Sequence, residues 1–527
     1  MSVRLSSVRG SIVPENGVHG WSADEQRGAR TSGPLSRTAA EPCIVLRMSI
    51  AADPASPPPP LARAAWPNAW GVALARDPLG TVQALHAAHG DVVRMRAFGR
   101  TFVLVAHPDA AREVLVTQQK RFARGYAHRG LKLFLGEGLL TSEGELHRRH
   151  RRMAQPAFHR ERVAGYARAM VAAAGRWDAR WRARAAPGAP LDLAAEMMAL
   201  TLGIAGETLF GADVGASAGE VADALADALR AAPLAFLPFG RWALRLPIPI
   251  AWRFHRARAR LDRVVFGMIA ERRAAAARGE PADRGDLLSM LLAARDDESD
   301  GTAGDAAPSG RALSDDELRD EAMTLFLAGH ETTASALSWT WYLLGTHADA
   351  QARLHAELDA VLGAGAARRA PGVGDVAALP YTRAVIAEAM RLFPPAYAIG
   401  RRCVERTTLG GYAIEPGWGV LTSPWLAHHD PRWWPEAERF RPERWLDPDA
   451  AAARPRFAYF PFGGGSRICI GEQFAWTETT LVLATLASRW AVRVAPGAAP
   501  RPRGAVTLRP IGGVPALLTA RGPDLGR

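Results

Sequence analysis

The segment that most constrains the fold is a long apolar stretch that follows a polar, glycine-rich segment at residues 296–310. Ser314 and Glu317 have the spacing of a capping box, which predicts that a helix begins there. The pattern continues for about 30 residues over "DDELRDEAMTLFLAGHETTASALSWTWYLLGTH", and its centre is apolar on nearly every side. Such a helix belongs in the interior, so the rest of the chain must fold around it.

The centre of this helix, "AGHETT", breaks local rules. Gly329 lowers helix stability by about 1 kcal/mol relative to Ala, and a buried Glu331 is costly without a partner. His330 and Glu331 begin an HExxH pattern, but Ala334 stands where the second zinc ligand would be, which excludes a zinc protease. Two interpretations stay open: a functional site, or a structural arrangement in which Glu331 and the threonines satisfy each other or the helix backbone.

Elsewhere helical patterns dominate, and "DVVRMRAFGRTFVLVAHP" predicts a β-hairpin. The sequence therefore predicts a mainly α protein with a small β-rich side. No uninterrupted run of about 18 apolar residues occurs, so we expect no transmembrane segment. The net charge of +12 comes almost entirely from arginine in a chain rich in Ala, Gly and Pro, which indicates codon bias. Without a basic strip interleaved with aromatics we expect no nucleic-acid partner, and a basic face for an acidic protein stays an alternative.

The first 47 residues are rich in Gly, Ser and Arg and lack hydrophobic periodicity or a signal-peptide core. We expect residues 1–47 to be a disordered extension, or Met48 to be the true start, with residues 48–527 forming a single domain. Cys43, Cys403 and Cys469 are too few and too scattered for a disulfide framework, which favours a reducing, cytoplasmic compartment.

The segment "FGGGSRICIG" combines glycines with a lone cysteine ahead of a predicted helix. It lacks the Lys-Ser/Thr ending of a phosphate loop. Its glycines permit close approach of the backbone to a planar ligand, and N–H groups at the helix start favour a thiolate at Cys469. With Arg467 two positions earlier, this suits the axial ligand of a haem, although a buried structural cysteine is the alternative. The "HHD" at residues 428–430 has no further ligand at suitable spacing, so we expect loop packing there.

Several motifs together resemble those of cytochromes P450. The haem-thiolate signature of that family is matched at every spacing by Phe462, Gly465, Arg467, Cys469 and Gly471. Its central-helix motif is filled by Ala328, Gly329, Glu331 and Thr332, and its Glu-Arg-Arg cluster by Glu388, Arg391 and Arg444. The resemblance runs from about Pro67 to the C-terminus.

The resemblance implies a P450 fold, with the long central helix over haem b and Cys469 as the thiolate ligand of its iron. By the same resemblance, the remaining cofactor-binding residues are Phe462, Gly465, Gly471 and the propionate donors His147, Arg151, Arg401 and Arg467. His147 is a departure, because many relatives carry Trp at that position, but histidine can still donate to a carboxylate. Glu331 and Thr332 would relay protons to bound oxygen.

The implied function is a monooxygenase that inserts one atom of O₂ into an apolar or amphipathic organic substrate. Electrons would come from a separate ferredoxin-type or flavodoxin-type donor with its reductase. A fatty acid, terpenoid, steroid or polyketide would suit the apolar segments at residues 233–252 and 394–400, which line an entrance and a pocket in the family. The alternatives are a haem-thiolate binding or sensing protein without turnover, and a peroxide-driven or isomerising enzyme of the same fold.

Overall fold

A computed structural model describes most of the chain. The described residues are 56–184, 188–211, 240–281, 283–296 and 311–522, together with Ala224 and Asp227. The predicted extension at 1–47, with Cys43 and the domain boundary, lies outside them, as do residues 297–310 of the polar segment and residues 233–239 of the first apolar segment.

Helices account for most of the described residues, and short strands form the remainder of the regular structure. The helices are α1 Ala69–Arg76, α2 Pro78–His89, α3 Pro108–Arg112, α4 Tyr126–Leu135, α5 Gly144–Ala154, α6 Arg160–Arg184, α7 Leu193–Phe210, α8 Gly240–Ala243, α9 Pro249–Ala277, α10 Leu287–Ala293, α11 Asp315–Thr346, α12 Ala348–Leu362, α13 Pro380–Leu392, α14 Pro424–His428, α15 Pro448–Ala452 and α16 Glu472–Ala487. The strands are β1 Val92–Ala97, β2 Arg100–Val105, β3 Phe122–Arg124, β4 Leu191–Asp192, β5 Arg295–Asp296, β6 Arg311–Ala312, β7 Ile399–Cys403, β8 Thr407–Leu409, β9 Tyr412–Ile414, β10 Gly419–Thr422, β11 Trp490–Val494, β12 Arg501–Gly504, β13 Leu508–Ile511 and β14 Pro515–Ala520. The predicted mainly α fold with a small β-rich side is confirmed.

The predicted central helix is α11, and it is 32 residues long. The capping box is present: the Ser314 hydroxyl accepts the Glu317 N–H, and the Glu317 carboxylate accepts the Ser314 N–H at 2.8 Å. α11 packs against α7, α9, α13 and α16, so it lies at the centre of the largest apolar core. Among the described helices only α7 is long and apolar enough to cross a membrane, but 67% of it is buried in the protein, which is typical of a core helix.

The largest sheet has the strand order β1-β2-β10-β7-β3. The predicted hairpin forms β1 and β2, and its turn residues Phe98 and Gly99 both have positive φ, which matches the twist of the two strands. At the other edge, β7 pairs antiparallel with β3, and this register places Arg401 directly opposite Arg124. The sheet therefore brings two arginines together that are far apart in the sequence.

Candidate functional site

The loop "FGGGSRICIG" folds back on itself before α16. The Phe462 carbonyl accepts the Cys469 N–H at 3.0 Å, which closes the loop. Gly465 has φ +70°, and a Cβ there would lie 1.9 Å from the Leu115 carbonyl oxygen, so only glycine fits. Arg151 reaches the loop from α5 and donates to the Ile468 carbonyl at 2.8 Å. Backbone closure, glycine geometry and this arginine together fix the position of the cysteine.

Cys469 has an unusual combination of exposure and environment. Its side chain is exposed, yet surrounding protein raises the pKa of its thiol to about 11 through burial, against the opposing effect of the Gly471 N–H. A side chain that is accessible but closely surrounded lines an internal space. The N–H at the start of α16 lowers the pKa of the thiol, as predicted, but burial raises this pKa by more. A thiolate at neutral pH therefore needs an added positive charge such as a metal ion.

Cys403 provides a comparison within the same protein. It lies on β7, is fully buried, and donates through its Sγ to the Glu405 carbonyl at 2.9 Å. Burial also raises the pKa of its thiol to about 11. Accessibility therefore distinguishes the two thiols, and only Cys469 faces a space where a ligand could bind.

The middle of α11 opens onto internal space as well. Most residues between Leu318 and Leu344 are buried, whereas Ala328 is exposed and Gly329 and Thr332 are half-buried. The Thr332 hydroxyl donates to the Ala328 carbonyl at 2.6 Å. Its oxygen can still accept a hydrogen bond from the open side, because a hydroxyl both donates and accepts.

Glu331 points to the hairpin formed by β12 and β13, named here the C-terminal hairpin. Its Oε1 accepts hydrogen bonds from the Thr507 hydroxyl and from Arg509, whose Nε lies at 2.8 Å. Its Oε2 is buried without a partner among the described residues. Glu331 is therefore held by residues more than 170 positions away, and neither Thr332 nor the helix backbone holds it. Thr507 and Arg509 gave no local sequence signal, because the tertiary fold alone brings them to α11.

A cationic cluster lies beside the cysteine loop. It consists of Arg124, His128, His147, Arg151, Arg401 and Arg467. Burial and the neighbouring arginines lower the pKa of Arg401 and Arg467 to about 10, and that of Arg124 well below its ordinary range. Within the described residues none of the four guanidinium groups has a carboxylate at ion-pair distance; Glu143, the nearest acid, accepts only the Arg124 backbone N–H.

The arginines of this cluster lie close enough to repel one another. Arg124 and Arg401 face each other across β3 and β7, an arrangement that is destabilising for like charges. His147 and His128 are pushed to a pKa of about 3 by burial and by the adjacent arginines. The cluster borders a cavity of about 790 Å³, to which Arg401 contributes and its neighbour Arg402 does not. Arginines that are buried or half-buried and repel each other at the wall of a cavity indicate a site for an anionic group.

The sequence predicted four members of this cluster, His147, Arg151, Arg401 and Arg467. It missed Arg124 and His128, which come from β3 and α4. No local motif marks either residue, and only the pairing of β3 with β7 places Arg124 in the cluster. The structure also brings Arg467 to the Ser142 carbonyl, to which it donates at 2.7 Å.

The Glu388 cluster, Glu388, Arg391 and Arg444, is fully buried and fully paired. Arg391 binds Glu388 with two hydrogen bonds of 2.9 Å, and Arg444 adds a third of 2.9 Å. The Trp445 indole also donates to Glu388 Oε2, the oxygen that accepts the Arg391 Nε–H. Glu388 and Arg391 are both 0% exposed, which excludes an ordinary surface ion pair along a helix.

The Glu388 cluster is connected to the cysteine loop through His428. Arg391 donates to the His428 carbonyl at 2.8 Å, and the His428 ring accepts the Phe460 N–H at 3.0 Å, two residues before the loop. These two bonds make His428 of "HHD" part of the packing of this connection. Among the described residues, no group of three or more His, Cys, Asp and Glu side chains could hold a metal ion.

These residues fit a haem. The accessible thiol would hold the iron, the unneutralised arginines would bind the two propionates, and the small, partly exposed residues Ala328 and Gly329 on α11 would leave room for the flat ring. Gly465 and the half-buried Phe462 keep the loop backbone compact on the thiol side. Haem bound here would supply iron for the activation of O₂.

Comparisons with known proteins agree with this geometry. A family model described as Cytochrome P450 matches residues 57–511. Cyclooctatin synthase from Streptomyces melanosporofaciens is 42% identical over 446 residues, 84% of this chain and 92% of the relative. Cyclooctat-9-en-7-ol 5-monooxygenase from the same organism is 39% identical, covering 81% of this chain and 87% of the relative. Pentalenene oxygenase from Streptomyces avermitilis is 34% identical, covering 86% and 95%.

The structure of the haem domain of cytochrome P450DA superposes with a TM-score of 0.77 at 25% identity, covering 88% of this chain and 98% of that one. The similarity therefore extends over nearly the whole described fold.

Proposed function

The chain belongs to the cytochrome P450 family and is a haem-thiolate monooxygenase that receives electrons from redox proteins, and we propose that its substrate is a cyclic, mainly hydrocarbon molecule of the terpenoid class. The observation that carries this proposal is the chemistry of the open stretch of α11, where Ala328 and Gly329 offer no charge to a ligand. Ile399 adds an apolar side chain close to Gly463 of the cysteine loop. Two relatives are named for the oxygenation of an unsaturated cyclic alcohol and of pentalenene, which supports the same class.

In this proposal Cys469 is the thiolate ligand of the haem iron. The cationic cluster binds the propionates through charge-assisted hydrogen bonds, which neutralise the repulsion between Arg124 and Arg401. The Arg151 bond to the Ile468 carbonyl then holds the cysteine loop and the propionate site in one arrangement. Because this arrangement depends on backbone and arginine geometry, it is independent of the substrate.

Thr332 and Glu331 move protons in this proposal. The Thr332 hydroxyl, fixed by its bond to the Ala328 carbonyl, accepts a hydrogen bond from a water on the open side. Glu331 keeps one unpaired carboxylate oxygen, which can bind and release a proton while Arg509 holds the other.

Replacing Thr332 by Ala tests this role. Haem and substrate binding should persist, while the amount of product per electron consumed falls, because protons no longer arrive in order. Thr340→Ala is the matched control, since Thr340 lies on the same helix and makes the same bond to the carbonyl four residues earlier. Unchanged product per electron in Thr332→Ala would exclude the relay.

Glu331→Gln should slow the whole catalytic cycle, because it removes the ionisable proton carrier but keeps the shape of the side chain.

Replacing Cys469 by Ser tests the ligand assignment. The red-shifted Soret band of the reduced carbon monoxide complex should disappear, and Cys403→Ser should keep it. Loss of the band in Cys403→Ser alone would contradict the assignment.

The electron donor is proposed to be a ferredoxin or flavodoxin with its reductase. Lys120 borders the same cavity as the cationic cluster and, together with the arginines of that cluster, gives this face a positive charge that suits an acidic donor. A cytoplasmic location stays a prediction.

Spectral titration of the haem protein with cyclic terpenoid alcohols and with fatty acids tests the proposed substrate class. A spectral shift produced by fatty acids alone would overturn the proposal.

A further inference from the structure

A small cavity of about 20 Å³ lies where α7, α9 and α11 meet. Phe210 of α7 and Met323 and Phe326 of α11 form its inner wall. The rings of Phe210 and Phe326 meet edge to face, with their centroids 5.7 Å apart. All three side chains are buried. The inner wall therefore belongs to the core around the central helix.

The outer wall of the cavity is formed by α9, which packs on α11. It consists of Leu261, Val264, Val265 and Met268. Leu261 and Val265 are buried, whereas Val264 and Met268 are half-buried. The cavity therefore lies between the buried central helix and the less buried side of α9.

The described side chains that line this cavity are all apolar. A buried water molecule needs two to four polar partners, so these walls do not favour water. A cavity of roughly 10–15 Å³ is already large enough for one molecule of the size of water, and dry apolar cavities bind xenon and other apolar species. This cavity therefore suits one small apolar molecule.

The inner wall leads along α11 towards the open stretch of that helix. Met323, Phe326 and Gly329 follow each other at intervals of three residues, so neighbours in this row lie side by side on the helix. Apart from α11 itself, the only described atom within 4 Å of the place that a Gly329 Cβ would take is Leu209 Cδ1, at 3.6 Å. Leu209 directly precedes the cavity residue of α7 in the sequence. Leu209 and Gly329 therefore lie between the cavity and the open stretch of α11.

We propose that this cavity binds dioxygen and supplies it to the haem site past Gly329. The monooxygenase reaction consumes O₂, an uncharged diatomic molecule that prefers apolar surroundings to water. A cavity that accepts O₂ and disfavours water raises the local amount of the gas beside the central helix. Xenon has the same apolar character and serves as an inert probe of the site. This inference rests on the use of O₂ and is independent of the proposed terpenoid class, because a terpenoid is far too large for the cavity.

Xenon tests the binding step. In haem-loaded protein with an isotope label in the methionine methyl groups, xenon should shift the nuclear magnetic resonance signals of Met268 and Met323 in a saturable way. Met95 and Met170 are the reference, because both are fully buried and do not line the cavity. Equal shifts at all four methionines, or no shift at Met268 and Met323, would overturn the proposal.

Two variants of Val265 test the supply step. Val265→Phe fills the cavity and should lower the rate constant for O₂ association with the reduced haem protein about threefold or more, and it should abolish the xenon shifts. Val265→Ala enlarges the cavity and should keep both the association rate and the xenon shifts. Val163→Ala is the matched control, because it removes the same atoms from a buried site on α6, and it should behave like the unaltered protein in both measurements.

The haem spectrum and the melting temperature verify that each variant is folded. Where Val265→Phe is unstable, Val264→Leu fills less of the cavity and should change the association rate in the same direction. An unchanged association rate in a folded variant that no longer binds xenon would overturn the proposal. That result would leave the proposed substrate class untouched, since the spectral titration with terpenoids and fatty acids tests it separately.

Discussion

The Glu388 cluster and the cationic cluster both bury arginines, but they differ in where the opposite charge comes from. Arg391 and Arg444 share the carboxylate of Glu388, and backbone carbonyls take their other donors. Arg124 and Arg401 have no carboxylate among the described residues and face each other across two strands. A buried charge must be compensated. The first cluster is neutralised within the protein and stabilises the fold, whereas the second carries an excess of positive charge that an anionic group would neutralise.

Arg391→Ala should have the largest effect. It leaves the Glu388 carboxylate buried with Arg444 as its only cationic partner and removes three hydrogen bonds to backbone carbonyls, at a cost of roughly 3–5 kcal/mol in the free energy of unfolding. Such a loss is a large part of the stability of an ordinary domain. Expression should give little haem protein. Arg439→Ala is the control, because Arg439 forms an exposed pair with Glu436; equal haem content in both variants would remove the distinction between the clusters.

Arg401→Gln should have opposite effects on the stability of the haem-free protein and on its affinity for haem. It relieves repulsion with Arg124 and Arg467, so the haem-free protein should be as stable as the unaltered one or more so. It also removes a charged donor to a propionate, so haem affinity should fall about tenfold to a hundredfold. Arg402→Gln, on the other face of β7, should leave haem affinity unchanged. Destabilisation of the haem-free Arg401→Gln protein would contradict the description of this cluster as strained.

The pH dependence of stability should also differ between haem-free and haem-loaded protein. His128 and His147 have a pKa of about 3 in the folded state, against about 6.5 for an ordinary histidine. Between these two pH values the unfolded chain binds more protons than the folded chain. The free energy of unfolding is therefore unaffected by these histidines above about pH 6.5, and it decreases as the pH falls from there to about 3. The slope is at most about 1.4 kcal/mol per pH unit for each histidine.

Propionates beside these rings would raise both pKa values, because a negative charge favours the imidazolium form. Chemical unfolding at a series of pH values should therefore give a shallower slope for the haem-loaded protein. His330 and His428, which lie outside the cluster, provide the internal reference, since their contribution is common to both forms. Identical slopes would mean that the propionates bind elsewhere.

Removal of residues 1–47 should have the smallest effect. Both clusters are built from residues beyond Arg121, so neither loses a partner, and the extension has no apolar pattern with which to pack. Haem content and melting temperature should stay within error of the full chain. A clear decrease in either would show that the extension contributes to the fold.

Local patterns in the sequence predicted much of this protein correctly. The capping box at Ser314 predicted the start of α11, and the β-rich pattern of "DVVRMRAFGRTFVLVAHP" predicted the first hairpin. These features depend on residues a few positions apart, which a linear sequence displays directly. The spacing within "FGGGSRICIG" led to the prediction of Cys469 as the thiolate ligand, and the structure adds that a close backbone contact at Gly465 tolerates no other residue.

The tertiary structure alone decided which distant residues complete each site. Arg124 meets Arg401 only because β3 pairs with β7, and Glu331 meets Arg509 only because the C-terminal hairpin reaches α11. The sequence also predicted a thiolate from the N–H groups at the start of α16, but burial dominates the pKa of Cys469. Charge pairing and desolvation depend on distances through space, and these are set by the packing of the whole chain around the apolar helix that its sequence determines.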